Sequence, residues 1–270
     1  MLFIRIKVAP LYCFRKKGES IVAFQTVFKR YELKYLLTTE QRERIITAIA
    51  SFMEADSYGR TTIRNIYFDT DSYALIRRSI EKPAYKEKLR IRSYKQAERG
   101  DTVFVELKKK YQSVVYKRRI SLCESEAMSW VTGERPISKE TQISREIDYF
   151  RSLHEGLLPT VFLSYDRDAF YSRDDKSFRV TFDSNILCRT TDLSLTSEVY
   201  GTPILDADKC LMEIKCSGGM PLWMAKLLSA ERIYKTSFSK YGTAYASLIF
   251  PETKNALTGK TNKKEIYTHA

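Results

Sequence analysis

Several short stretches of the chain carry basic side chains on alternate residues, most clearly Ala84-Tyr-Lys-Glu-Lys-Leu-Arg-Ile-Arg-Ser-Tyr94. Successive side chains of a strand point to opposite faces, so Lys86, Lys88, Arg90 and Arg92 share one face while Tyr85, Leu89 and Ile91 share the other. One such strand alone reads equally well as a solvated edge. The parity recurs, however, in Glu32 and Lys34, Glu106 and Lys108, Lys117 and Arg119, Arg167, Arg179, and Glu213 and Lys215. If every one of these faces were exposed, the sheet would have only its apolar sides for a core, which a closed sheet uses better. The expected fold is therefore α+β: a closed antiparallel β-barrel tunnel with a basic interior and helices packed outside. Such an interior suits a polyanion.

Charge agrees with this. Forty-six Lys and Arg against 33 Asp and Glu leave a net charge of +13 over 270 residues, which implies an acidic partner without choosing among nucleic acid, anionic lipid and phosphate compounds. The five cysteines, Cys13, Cys123, Cys188, Cys210 and Cys216, form no CxxC pair, so reduced thiols in a cytoplasmic protein are expected rather than a disulfide framework or a zinc site. His154 and His269 are the only histidines, which argues against a histidine-based triad or a His-rich metal site. Any metal would be a hard cation held by carboxylates and phosphate oxygens. No apolar run approaches the roughly 20 residues of a membrane helix. The start, Met1-Leu-Phe-Ile-Arg-Ile-Lys-Val, is broken by Arg5 and Lys7 and makes a poor signal-peptide core, and Tyr12 before Cys13 argues against a lipoprotein site.

Along the chain, residues 1–24 show no clear period and read as a poorly defined extension. Val27–Leu36 reads as a strand, and Thr38-Thr-Glu-Gln41 as a capping box opening a helix with Ile45, Ile46, Ile49, Phe52 and Met53 on one stripe. Thr62–Asp69 is a second strand, after which Asp71 is expected to cap a short helix to Ser79. Pro83 opens the Lys86–Arg92 strand. Thr102–Lys110 and Ser113–Leu122 form a hairpin in which Arg118 points away from Lys117 and Arg119. Residues 124–155 are helical with a break around Gly133-Glu-Arg-Pro136. Strands return at Thr160–Phe170, Ser177–Asp183 and Cys210–Cys216, followed by helices over Pro221–Ser229 and Ser239–Ile249. Residues 25–250 read as one domain and 251–270 as a polar, disordered tail.

The chemistry follows from the residue types. Arginine forks onto phosphate oxygens through two parallel hydrogen bonds, so Arg90 and Arg92 make a phosphate clamp, with Lys86 and Lys88 supporting the field. There is neither GxxxxGK[ST] nor GxGxxG, so a P-loop or a dinucleotide fold has no support. Eighteen Tyr and 14 Phe are present, but in the strands they read as lying mostly opposite the cations. Single-strand nucleic-acid binders put stacking rings on the basic face itself. The expected partner is thus a base-free phosphate chain or a nucleoside triphosphate rather than nucleic acid.

Taken in order, Tyr31-Glu-Leu-Lys-Tyr35, Tyr67-Phe-Asp-Thr70, Lys86-Glu-Lys-Leu-Arg-Ile-Arg92, Val105-Glu-Leu-Lys108, Tyr165-Asp-Arg-Asp-Ala-Phe170, Leu211-Met-Glu-Ile-Lys215 and Ser239-Lys-Tyr241 resemble the VTC domain. That domain is the catalytic part of the vacuolar transporter chaperone polyphosphate polymerase and its bacterial relatives, within the triphosphate tunnel metalloenzymes. The resemblance covers roughly residues 25–250. It implies transfer of the γ-phosphate of ATP to a growing polyphosphate chain, with Mn²⁺ or Mg²⁺. It further implies that Arg90 and Arg92 bind nucleotide phosphates, that Lys34, Lys108, Lys117, Arg119, Arg167 and Arg179 line the tunnel, that Glu213 holds the metal, and that Lys240 sits near the mouth or the product chain. Glu32 or Glu106 is the expected second metal ligand, and strand parity turns Lys215 inward beside Glu213. Tunnel triphosphatases carry Glu-x-Glu-x-Lys, whereas here Arg30 replaces the first Glu, which weakens a triphosphatase reading. A lysine that fungal polymerases carry three residues before the position of Lys240 is Ser237 here, with Lys235 two residues earlier. Fungal relatives work within a membrane complex, so recruitment to a membrane partner is a further expectation. The rival expectations are a triphosphate or nucleoside-triphosphate hydrolase of the same fold, a non-catalytic polyphosphate-binding module and, more weakly, a basic RNA-binding protein.

Overall fold

The computed structural model describes residues 31–112 and 114–251. The expected extension at 1–24, Arg30, Cys13, the tail beyond Pro251 and His269 lie outside the described residues. In chain order the elements are β1 (Tyr31–Thr38), α1 (Thr39–Ile49), β2 (Met53–Ala55), β3 (Thr61–Asp69), α2 (Ala74–Ile80), β4 (Tyr85–Ser93), β5 (Thr102–Tyr111) and β6 (Val114–Cys123). Then come α3 (Glu124–Thr132), α4 (Gln142–Leu153), β7 (Leu158–Ser172), β8 (Arg179–Arg189), β9 (Thr202–Pro203), β10 (Lys209–Cys216), α5 (Leu222–Ala230), β11 (Lys235–Thr236) and α6 (Lys240–Ala244), which continues as a π-helical turn over Tyr245–Ile249.

All strands belong to one 11-stranded sheet, whose main path runs β11-β1-β10-β8-β7-β3-β4-β5-β6, with β2 on β7 and β9 on β8. The main-path pairings are antiparallel. This corrects the expectation of a closed barrel: among the described residues β6 pairs only with β5 and β11 only with β1, so the sheet is curled and open. Both edges are of a kind that resists pairing. β11 is two residues long, and β6 carries Lys117, Arg118 and Arg119, and charged or very short edges are how sheets avoid adding a strand. The curl is nonetheless strong. Lys108 on β5 donates to Glu32 on β1 at 2.8 Å, although five strands separate them along the sheet. A side-chain ion pair spans the gap that backbone pairing leaves open.

Helices cover the convex face in two groups. Leu89, Ile91, Val103, Val105 and Leu107 pack under Trp130 and Val131 of α3 and Ile147 and Phe150 of α4. Tyr35, Leu37, Val180, Phe182, Met212 and Ile214 pack under Ile45 and Ile49 of α1 and Met224 and Leu228 of α5. The third apolar cluster is different, because it lies on the concave face. Ile63, Tyr67, Leu163, Tyr165 and Leu211 meet Ile76 of α2 and Tyr241, Ala244, Tyr245 and Ile249 of the C-terminal helix. The interior is therefore not basic throughout; one part is an apolar plug.

The capping box at Thr38 forms, with the Gln41 amide donating to Thr38 Oγ1 and the Thr38 amide donating to Gln41 Oε1. The helix it opens ends at Ile49, and Met53 starts a strand on β7, so Phe52 and Met53 are not on its stripe. Asp71 is exposed and does not cap α2. Asp69, fully buried, does so: its carboxylate accepts from the Leu75 and Ile76 amides at 2.9 and 3.0 Å and from the Tyr241 hydroxyl at 2.9 Å. One carboxylate thus ties α2 to the plug. Asp69→Ala leaves these donors unmatched and is expected to cost about 3 kcal/mol in urea denaturation, against less than about 0.5 kcal/mol for Asp71→Ala.

Candidate functional site

Directly opposed residues of an antiparallel pair share a face, so register alone maps the concave wall. Glu32 faces Lys215 and Lys34 faces Glu213 between β1 and β10. Glu213 faces Thr181, Lys215 faces Arg179 and Leu211 faces Asp183 on β8. Asp183 faces Arg167 on β7, two residues beyond Tyr165. Across β3, Asn65 faces Arg92 and Tyr67 faces Arg90. Arg90 then faces Glu106, Lys88 faces Lys108 and Lys86 faces Lys110 on β5, and Glu106 and Lys108 face Arg119 and Lys117 on β6. Every strand-borne site residue expected from the sequence lies on this one face. Arg118, of the other parity, donates to Glu146 of α4 on the convex side at 2.8 Å.

The wall is organised around a few buried carboxylates, each holding several cations. Glu106, 1% exposed, accepts from Arg90 Nε and Nη2 at 2.9 and 2.7 Å, pairs with Lys117 at 2.6 Å, and also holds Arg119. Burial pushes the Glu106 carboxyl up, but Arg90, Arg92 and Lys117 reverse this and hold it far below the usual carboxylate range. The Arg92 guanidinium is oriented by Asn65 Oδ1 at 2.8 Å and by the Tyr165 hydroxyl at 3.0 Å, and Arg90 Nη1 donates to the Tyr67 hydroxyl at 2.9 Å.

A second such carboxylate is Asp183, which the motifs above do not single out. It is fully buried, accepts from Arg167 Nε and Nη2 at 2.6 and 2.7 Å, and holds Lys240 from the first turn of α6. Burial pushes it up; Lys240 and Arg167 outweigh this and bring it down to about 2. A signal for it does exist in the sequence, since Asp183 has the same strand parity as Arg179. Through it Lys240 reaches the wall 4.3 Å over the Tyr165 ring. Lys34 donates to the Phe238 carbonyl at 2.7 Å and Lys88 to Ser239 Oγ at 3.0 Å, so the start of α6 is held from both sides of the groove.

Glu213 and Glu32 form the remaining acidic element. Glu213 pairs with Lys215 at 2.8 Å and with Lys34 at 3.8 Å, and Glu32 with Lys108 at 2.8 Å. Burial raises both carboxyls; Lys215 and Lys34 hold Glu213 well below its usual range, and Lys108 lowers Glu32 against the repulsion of Glu213. Two mutually repelling carboxylates are a fit place for a divalent cation whose other ligands are phosphate oxygens and water, the pattern usual for Mg²⁺. Glu106 does not fit as a ligand, because Arg90, Arg119 and Lys117 already engage both its oxygens. Among the described residues no group of three or more His, Cys, Asp and Glu stands together as a metal cage.

Neither His154 nor Cys210 stands on this wall. His154 caps the end of α4, 3.8 Å from Glu87. Burial pushes the Cys210 thiol up to about 12, and Cys210 belongs to the convex core. Several rings, however, do lie on the cationic face, contrary to expectation: Tyr67, Tyr165, Phe104 and Tyr171 by register, with Arg167 5.1 Å over Tyr165.

Lys88 has an unusual charge state. Burial brings its ammonium down to about 8, with Lys34, Lys86 and Lys108 adding to this and Tyr67 opposing. An amine with that pKa is charged at pH 7 and about nine-tenths neutral at pH 9. A phosphate ligand that needs this charge should lose about tenfold in affinity between pH 7 and pH 9, about fivefold of it above pH 8. Titrating tripolyphosphate at pH 7, 8 and 9 tests this. Lys117 is also brought down to about 8 by burial, so Lys88→Arg, which stays charged, should make the profile shallower, and Lys88→Arg with Lys117→Arg should flatten it.

The VTC domain family matches residues 29–249. No curated protein matches the sequence. Among solved structures, a candidate adenylate cyclase from Bacillus halodurans is similar at a TM-score of 0.50 and 17% identity, covering 79% of this chain and 94% of its own. A candidate adenylate cyclase from Vibrio parahaemolyticus has a TM-score of 0.42 and 11% identity, covering 81% of this chain and 98% of its own. At these identities the first likeness is one of fold alone, and the second carries no weight.

Proposed function

The chain belongs to the VTC domain family, and from that premise we propose that it is an ATP-dependent polyphosphate polymerase, transferring the γ-phosphate of ATP to a growing inorganic polyphosphate chain. The observation that carries this reading is the single concave wall on which Arg90, Arg92, Arg167, Arg179, Lys34, Lys88, Lys108, Lys117, Arg119, Lys215 and Lys240 converge. Phosphoryl transfer needs positioned reactants and neutralised charge more than a strong protein nucleophile. The end of a polyphosphate chain is an anionic oxygen already, so the reaction needs no general base, in keeping with a wall that carries no histidine among the described residues.

In this reading Arg90 and Arg92 hold the nucleotide phosphates, pre-oriented by Glu106, Asn65, Tyr67 and Tyr165. Arg167 and Arg179 stabilise charge on the transferred group, and Asp183 sets the angle of Arg167 and Lys240. Lys34, Lys108 and Lys215 steer the acceptor chain past Glu32 and Glu213, with Lys86, Lys117 and Arg119 widening the positive field. A divalent cation, Mn²⁺ or Mg²⁺, would be held by Glu213 and Glu32 and would supply further neutralisation of phosphate oxygens.

One incubation with ATP and Mn²⁺, read on a gel and by phosphate assay, tests the proposal. Polymer is expected. Orthophosphate without polymer would make the protein a hydrolase, and binding of chains without turnover would make it a binding module. Among the described residues no helix is long and apolar enough to cross a membrane.

A further inference from the structure

The groove differs between its two ends. At the end reached by the C-terminus of β4, the Tyr94 hydroxyl accepts from Arg119 Nη2 at 2.8 Å and the Tyr94 ring meets Phe104 edge-on at 5.6 Å. The Arg119 guanidinium lies 4.4 Å over the Phe104 ring. On the facing wall Arg179 lies 4.5 Å over Tyr171, whose hydroxyl donates to Asp56 at 3.2 Å. By register the start of β3 lies beside the C-terminal ends of both β4 and β7, so Tyr94 and Tyr171 stand at the same end of the groove. Tyr94 is 41% exposed there. At the other end of β4, burial disfavours the charge of Lys86, and Lys110 and Lys82 add to this.

A nucleoside triphosphate has the same asymmetry, with a flat apolar base at one end and a polyanion at the other. Bases stack on aromatic rings and on guanidinium planes, whereas ammonium groups offer only point charge. Resting on the phosphate-binding reading above, we infer that the nucleoside of the donor sits at the mouth formed by Tyr94, Phe104 and Tyr171, with Arg119 and Arg179 as stacking planes. Its triphosphate runs inward onto Arg92 and Arg90. The lysine end is left for the base-free chain. The other two rings on the cationic face, Tyr67 and Tyr165, are buried and engaged by Arg90 and Arg92, so the accessible rings mark one subsite at the mouth rather than a nucleic-acid track.

Calorimetric titration of the full chain with ATP and, separately, with tripolyphosphate separates this inference from the reading beneath it. Tyr94→Ala and Tyr171→Ala are each expected to weaken ATP by about tenfold, and by about fivefold more than they weaken tripolyphosphate. Tyr94→Phe keeps the ring and should bind ATP as the wild type does. Equal losses for the two ligands, or no loss for ATP in either alanine variant, would overturn the nucleoside assignment while leaving phosphate binding intact. A wild-type protein that binds neither ligand would remove the phosphate reading and this inference with it.

Discussion

Glu213→Ala and Arg90→Ala are each expected to lower ATP-dependent polymer formation by about 100-fold or more, the scale set by removing one preorganised group that meets developing charge. The two losses should differ in kind. In the proposed reading Arg90 holds donor phosphates in ground and transition states alike, so its loss should raise KM as well as lower kcat. Glu213 lies between Lys34 and Lys215, where the proposal puts the acceptor chain and the metal, and its loss should fall mainly on kcat and on the response to added Mn²⁺. Arg118→Ala is the control: it removes an arginine one residue from Arg119 but of the opposite parity, bound to Glu146 on the convex side. Its rate should stay within about twofold of wild type. Near-wild-type polymer yield from both Glu213→Ala and Arg90→Ala would sink the assignment of this wall as the reaction site.

That Arg118 can serve as a control is legible in the sequence alone, because strand side chains alternate with a period of two. The same rule places Lys86, Lys88, Arg90 and Arg92 on one face, and the register bears it out strand by strand. What parity cannot give is closure. Whether β6 meets β11 depends on the pairing of strands more than 100 residues apart and on edges that short length and charge keep from pairing. Parity also cannot say what a carboxylate binds. Glu106, Glu32 and Glu213 share one Glu-x-Lys pattern, yet Glu106 is taken up by arginines of the two flanking strands and Glu32 by a lysine across the groove. Asp69 displaces Asp71 as the cap of α2 for a similar reason. The buried carboxylate also receives the Tyr241 hydroxyl from the far end of the chain, a contact that local sequence does not encode. The aromatic mouth is harder to read, because Tyr85, Leu89 and Ile91 lie opposite the cations and suggest that rings avoid the basic face. Tyr94, Phe104 and Tyr171 have the parity of the cations, and only at the strand ends.

Glu106 carries the largest expected effect on stability. Its carboxylate is the counter-charge for Arg90, Arg119 and Lys117, with Arg92 3.9 Å away, and it is 1% exposed. Glu106→Gln leaves these cations facing one another without compensation, and breaking a buried pair in this way costs about 3–5 kcal/mol. The sign with pH is fixed by the direction of the shift. A carboxyl lowered on folding contributes stability above its unfolded value of about 4.3, and this is lost as pH falls through the lower folded value. The variant should therefore lose most of its stability at neutral pH and show a shallower acid decline than wild type. The same cations are the proposed phosphate clamp, so a bound polyanion can replace the missing carboxylate. Tripolyphosphate is thus expected to raise the melting temperature of Glu106→Gln by more than it raises that of the wild type. A purely structural ion-pair cluster, with no room for phosphate, would give the variant the same loss of stability and no larger ligand response.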